Sequence, residues 1–418
     1  MNTSLRTGRS RCLATTLVLA APVLVLAAPL LAPSFAATAH AQVPARLAPA
    51  WEALVEEHRA TLDSAGIVGA TLALVRHGAI IAVDYHGHAD RASSRRVDER
   101  TIYHWASITK TFTGVALMQL RDRGLLDLDD PAVEYVPELR QVHAPFGPIE
   151  DVTLRHLLAH TSGFRDPTWP WDEGEAWQPF EPTEWSQLVA MMPYTRLQFP
   201  PGSRYGYSNP GVIFVGRTLE RVTGDVYEAY VDKNLLDALE MESAYFDGTP
   251  WRLLPDRSNS YRVVDREPVA RGLDFNTGIT VSNGGLNATV TDMAKWIGFL
   301  SGSGAGERSA TYDAVLARST LEEMWEAVAP VEDHPTLGPV RVGLSFFLYD
   351  GGGRRVVGHT GSQHSFRSFI LVDPASGLGL IGAWNTADGD ATAPDTDALR
   401  DLVMARALDE LFPLGPAR

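Results

Sequence analysis

Ser107 and Lys110 stand three residues apart in Trp105-Ala106-Ser107-Ile108-Thr109-Lys110-Thr111, in a chain whose other lysines are only Lys233 and Lys295. Residues i and i+3 share a helix face, so the amine can reach the hydroxyl and, when neutral, take its proton to make a nucleophile. Neutrality requires burial or a neighbouring cation, because lysine ordinarily titrates near about 10.4. Ile108, Phe112, Val115, Ala116, Met118 and Leu120 continue at helical spacing and Gly124 closes the run, so the pattern predicts a helix with Ser107 at or just inside its N-terminus. Backbone N–H groups there would face any oxygen that turns negative beside the serine. Plain capping accounts for Ser107 but not for Lys110, because a first-turn cation opposes the helix dipole.

Other clusters could also carry chemistry. Tyr207 and Asn209 lie in Tyr205-Gly206-Tyr207-Ser208-Asn209-Pro210-Gly211, where a phenol near a cation can act as a base and an amide can hold a substrate carbonyl; taken alone the stretch also reads as an ordinary loop. Gly358-His359-Thr360-Gly361-Ser362 ends one predicted strand and precedes another, and its glycines would let a ligand approach backbone N–H donors. His86-Gly87-His88-Ala89-Asp90 spells a zinc-ligand pattern that would need further ligands from elsewhere, and Arg91 follows it. His156 and His160 are spaced i,i+4, but Leu157 occupies the place of a zincin's glutamate, which favours a packing pair. No Gly-x-Ser-x-Gly occurs, which removes the α/β-hydrolase arrangement.

The elements that must position these groups follow from composition and pattern. Arg6, Arg9 and Arg11 precede an apolar stretch from Leu13 to about Ala32 and then Ala39-His40-Ala41, so residues 1–41 read as a secretory signal, with an uncleaved anchor as the alternative. The only cysteine, Cys12, lies within it, so residues 42–418 hold no disulfide, thiol nucleophile or cysteine metal site. Loss of the three arginines takes the formal charge from −15 to −18, which disfavours nucleic acid and anionic membranes as partners and fits a periplasmic or secreted enzyme. A helix ending near Gly66, a hairpin through His77-Gly78 and strands over 340–349, 355–358, 366–372 and 378–384 enclose a mostly helical middle, and a last helix covers 394–411. The expected fold is therefore α+β: a sheet domain from about 45–105 and 335–418, flanked by terminal helices, with an all-helical domain inserted over about 106–334. Trp169, Trp171, Trp177 and Trp185 mark an insertion that could pack on itself or form a lid over apolar acyl groups.

In this order the motifs resemble the serine β-lactamase and penicillin-recognising enzyme family, in its class C-like branch of class C β-lactamases, D,D-carboxypeptidases, D-aminopeptidases and family VIII esterases. The likeness runs from about residue 50 to the end and includes Leu125 to Pro131, Thr153-Leu154-Arg155-His156-Leu157-Leu158-Ala159-His160-Thr161-Ser162-Gly163, Gly284 to Thr289 and Phe366 to Phe369. The resemblance implies a β-lactamase/transpeptidase-like fold and an acyl-enzyme on Ser107, with no metal or organic cofactor. Lys110 and Tyr207 would share the proton transfers and Asn209 would hold the substrate side chain. The backbone N–H groups of Ser107 and Ser362 would form the oxyanion hole, with His359 and Thr360 facing the substrate's polar end beside Gly361. Two departures stand out. His359 replaces the lysine common in this family, and a mostly neutral imidazole would hold a carboxylate weakly, which favours an esterase or D-amino-acid peptidase over a β-lactamase. Ser365 stands where relatives commonly have glycine. A zinc hydrolase built on His86, His88 and Asp90, or a non-catalytic binding module, is the reading from another class.

Overall fold

The computed structural model describes residues 43–168, 182–272, 276–302, 307–331, 333–389 and 393–416. The expected leader and Trp169, Trp171 and Trp177 lie outside them. Among the described residues no helix is long and apolar enough to cross a membrane.

Strands from both ends of the chain build one nine-stranded antiparallel sheet. Its order is Arg95–Arg96, Ala79–Asp90, Gly69–Arg76, Leu378–Trp384, Phe366–Asp373, Arg355–Gln363, Phe347–Asp350, Arg341–Val342 and Ala329–Pro330. Gly69–Arg76 and Leu378–Trp384 are buried almost throughout rather than in alternation, because both sheet faces are covered. The helices Ala48–Ala65 and Thr396–Arg406 cover one face, packing Trp51, Leu54, Leu62 and Met404 against Leu72 and Leu380. On the other, Thr109–Asp122 and Val290–Ser301 meet through Phe112 and Trp296, whose rings stack at 3.7 Å. One continuous apolar cluster joins Ala73, Ile370 and Ile381 of the sheet to Leu117 and Phe214 from the middle of the chain, so sheet and helices share a core.

Gly66 closes the first helix in the left-handed conformation at φ 68°, and His77 and Gly78, at φ 50° and 80°, make the hairpin turn. Three details differ from expectation. Ser107 precedes the long helix on its own 3₁₀ turn, Ala106–Ile108. The strand expected over 355–358 runs on to Gln363, because Phe366–Asp373 pairs with it as far as Gln363–Phe366. The middle of the chain is not all helical: Leu286–Thr289 pairs with Ile102–His104 and with Tyr245–Phe246, and Ser260–Val264 lies between Glu267–Gly272 and Thr386–Asp388. Such short strands are fixed by distant partners and carry too few residues to show a period.

Candidate active site

Ser107 sits on a strained turn wedged against an open sheet edge. Ala106 before it takes φ 49°, a left-handed conformation that costs a residue with a Cβ about 1 kcal/mol or more. The turn is tied down on both sides: Trp105 N–H donates to the Leu286 carbonyl at 2.8 Å, its indole to the Ala288 carbonyl at 3.0 Å, and Thr109 Oγ1 to the Ala106 carbonyl at 2.6 Å. Phe347–Asp350 pairs with its neighbour only as far as Gly358, which leaves His359–Gln363 without a strand on that side. The Ser107 turn occupies this gap. Gly361 packs so tightly on the Trp105 carbonyl and the Ser368 hydroxyl that a Cβ would collide with both, and Ser368 donates to the same carbonyl at 3.1 Å.

Lys110 is fully buried, and its three N–H donors meet three acceptors: Ser107 Oγ at 2.9 Å, Asn209 Oδ1 at 2.9 Å and the Asn283 carbonyl at 2.8 Å. Tyr207 and Asn209 arrive from the start of the helix Asn209–Thr223. Ser208 between them caps that helix by accepting from Gly211 N–H at 3.0 Å, and Pro210 occupies its first turn, so the cap places its two neighbours into the site. Asn209 donates through Nδ2 to Asp166 at 3.3 Å, which leaves Oδ1 for the ammonium. The Tyr207 hydroxyl faces Ser107, and its ring lies 5.0 Å from Lys110 Nζ. Burial pushes the Tyr207 phenol well above its ordinary pKa, an effect the nearby Ser107 hydroxyl partly offsets.

His359 is 2% exposed and lies behind Tyr207, with ring centroids 6.4 Å apart, against Phe347 at 5.0 Å. Burial first, and the charge of Lys110 second, lower its pKa to about 3, so it is neutral at working pH. Its Nδ1 donates to the Thr360 carbonyl at 2.6 Å. The imidazole packs between Tyr207 and Phe347. Thr360 is half-buried, and Ser362 is exposed, its hydroxyl held by Asp397 and by Arg400 of the last helix. Arg400 is itself paired with Asp397 and Asp401.

The structure thus brings Ser107, Lys110 and Asn209 into one hydrogen-bonded group with the Tyr207 phenol beside it, Gly361 against the serine turn and His359 next to the phenol. Such a group can pass the serine proton to a neutral amine or a phenolate while the serine attacks a carbonyl. Sequence reasoning missed Asn283 and Asp166. Asn283 contributes a backbone carbonyl, which any residue owns, so no sequence signal marks it; Asp166 follows the Thr161-Ser162-Gly163 segment closely and only proximity in sequence could have pointed to it. The zinc pattern does not assemble: among the described residues the donor atoms of His86, His88 and Asp90 are not gathered within 4.8 Å of one another. His86 faces Asp63 at 3.4 Å, and Asp90 accepts from the backbone of Ala92 and Ser93 and from Asn259 in a turn. Trp185 packs edge-on against Phe214 at 6.4 Å with Arg217 over its ring.

The family model described as Beta-lactamase matches residues 51–405. Esterase EstB of Burkholderia gladioli is 28% identical over 399 residues, 88% of this chain and 96% of that protein. Protein flp of Staphylococcus aureus (strain MW2) is 25% identical over 321 residues, 77% of this chain, and the match spans 60% of that protein's length. Among solved structures, the octameric penicillin-binding protein homologue from Pyrococcus abyssi matches with a TM-score of 0.71 and 26% identity over 86% of this chain and 77% of that one.

Proposed function

The chain belongs to the beta-lactamase family and is a serine hydrolase, and from that premise we propose that it cleaves uncharged esters through an acyl-enzyme on Ser107, with D-amino-acid amides and peptides as its second substrate class. With one proton removed from the Lys110–Tyr207 pair, leaving a neutral amine or a phenolate, Ser107 Oγ attacks the carbonyl and gives its proton to that pair, which passes it to the departing alcohol or amine; the pair, again one proton short, then takes a proton from the water that releases the acid and returns it to Ser107 Oγ. Asn209 holds the acyl side. The backbone N–H groups of Ser107 and Ser362 receive the oxyanion at the open sheet edge, lined by Thr360 and Gly361.

One observation carries the choice of substrate. The third motif offers a buried, neutral His359 beside the phenol, and the Arg400 guanidinium nearest Ser362 is already matched by Asp397 and Asp401. A substrate carboxylate at this end would lose water without gaining a partner. Carboxylate-bearing β-lactams are therefore disfavoured, and a neutral alkoxy or amide group fits. We infer export as well, through the 1–41 leader to the periplasm or the exterior.

The test is a comparison of kcat/KM on p-nitrophenyl butyrate, a D-alanyl amide and a chromogenic cephalosporin, with fluorophosphonate labelling of the wild type and Ser107→Ala. The ester should lead, and Ser107→Ala should lose both turnover and label. Full turnover in Ser107→Ala would end the acyl-enzyme reading; a cephalosporin rate above the ester rate would end the substrate reading alone.

A further inference from the structure

His160 grips the loop that carries Tyr207 at three points. Its ring stacks on the Tyr207 ring with centroids 4.4 Å apart and planes 28° from parallel. Its Nδ1 accepts the Ser208 N–H at 3.1 Å, and its carbonyl accepts the Gly206 N–H at 2.8 Å. One residue therefore holds the backbone on either side of the tyrosine as well as the face of its ring. Tyr205 adds an edge-on contact at 6.2 Å. Because Nδ1 accepts a hydrogen bond, the imidazole is neutral and carries its hydrogen on Nε2. Burial and the charge of Lys110 keep it so.

His160 is 1% exposed and adopts φ 54°, a left-handed conformation that histidine tolerates better than most residues with a Cβ. Tyr207 itself lies in no helix or strand, so neither its backbone nor its ring is fixed by regular structure.

We propose that His160 is a positioning residue for Tyr207, holding the phenol beside Ser107 and in register with Lys110. The inference rests on the reading of Ser107 and Tyr207 as the reacting pair. Misplacing a catalytic group by about 1 Å costs about a hundredfold in rate. His160→Ala is expected to lower kcat on p-nitrophenyl butyrate by roughly 30- to 100-fold while KM changes by less than about threefold. His160→Asn should recover most of that loss, because Asn Oδ1 can take the place of Nδ1 as acceptor for Ser208 N–H and asparagine tolerates a positive φ.

The deciding readout is the combination with Tyr207→Phe. If His160 acts through the phenol, its substitution should cost less than about threefold once the hydroxyl is gone. An undiminished loss on the Tyr207→Phe background overturns the proposal. So does wild-type kcat in a folded His160→Ala, or a His160→Asn no better than His160→Ala. Should His160→Ala fail to fold, His160→Asn carries the test: the roughly three- to tenfold loss expected from the missing stack must vanish with Tyr207→Phe. Full activity in Tyr207→Phe alone, or in Ser107→Ala, would instead strike the reading of the reacting pair.

Discussion

Four neutral buried histidines should make this protein sensitive to mild acid, well above the pH at which carboxylates protonate. His58, His104, His160 and His359 are each no more than 2% exposed. Burial is the leading cause in every case: it lowers the pKa from 6.5 to about 4 for His58 and His104, to about 3 for His359, and well below 6.5 for His160. In the unfolded chain each imidazole takes up a proton as the pH falls through 6.5, whereas the folded chain keeps His58 and His104 neutral down to about 4 and His359 to about 3, with His160 held neutral well below 6.5. The unfolded state then binds more protons, so stability declines with falling pH over that window and is fully present above it. Between about pH 7 and pH 5.5 each histidine costs about 1.2 kcal/mol, and the four together about 5 kcal/mol. With an unfolding entropy of roughly 0.8 kcal/mol/K for a chain of this size, the apparent Tm should drop by about 6 °C. Depressed carboxylates such as Asp129 add their own loss only further down. Scanning fluorimetry at a fixed scan rate reads the shift. His58→Gln, which can still accept from the Trp384 indole that now donates to His58 Nε2 at 2.9 Å, should recover about 1.5 °C of it. A Tm that stays flat or rises between the two pH values would refute the reasoning.

Two further outcomes follow from backbone geometry at the third motif. His364 and Ser365 form the turn between Arg355–Gln363 and Phe366–Asp373 at φ 47° and 66°, both left-handed without glycine, so Ser365→Gly should raise stability by about 0.5–1 kcal/mol, read as a Tm gain of about 1 °C. Gly361→Ala should push the strand away from the Trp105 carbonyl and lower kcat/KM on p-nitrophenyl butyrate about a hundredfold; an unchanged rate would mean that the strand and the Ser107 turn need not touch.

The parts of the site legible in the sequence are those whose geometry is local. Ser107 and Lys110 are one helical turn apart, so their contact at 2.9 Å follows from spacing even though the serine proved to stand on a separate 3₁₀ turn. The cap at Ser208 makes Tyr207 and Asn209 converge, but that they converge on Lys110 is decided by the packing of two helices a hundred residues apart in the chain. The first helix, the hairpin and the strands over 366–372 and 378–384 were readable because turn residues and apolar runs punctuate them, as Gly66 and His77-Gly78 do. The polar run His359 to Ser362 was not readable as strand, since its extended form depends on a partner across the hairpin rather than on its own propensity.

His359 shows the boundary most sharply. Its residue type announced a weaker charge than lysine's, but its ordinary pKa of 6.5 left it partly protonated near neutrality, and such a ring could still have drawn an anion to the site. Only the fold, by burying the ring behind Tyr207 and beside the Lys110 ammonium, removes that charge throughout the working range. In the proposed ester hydrolysis, the choice between neutral and anionic substrates rests less on which side chain occupies position 359 than on its depth. A substitution that opened this packing to water without changing His359 itself should shift the preference toward carboxylates.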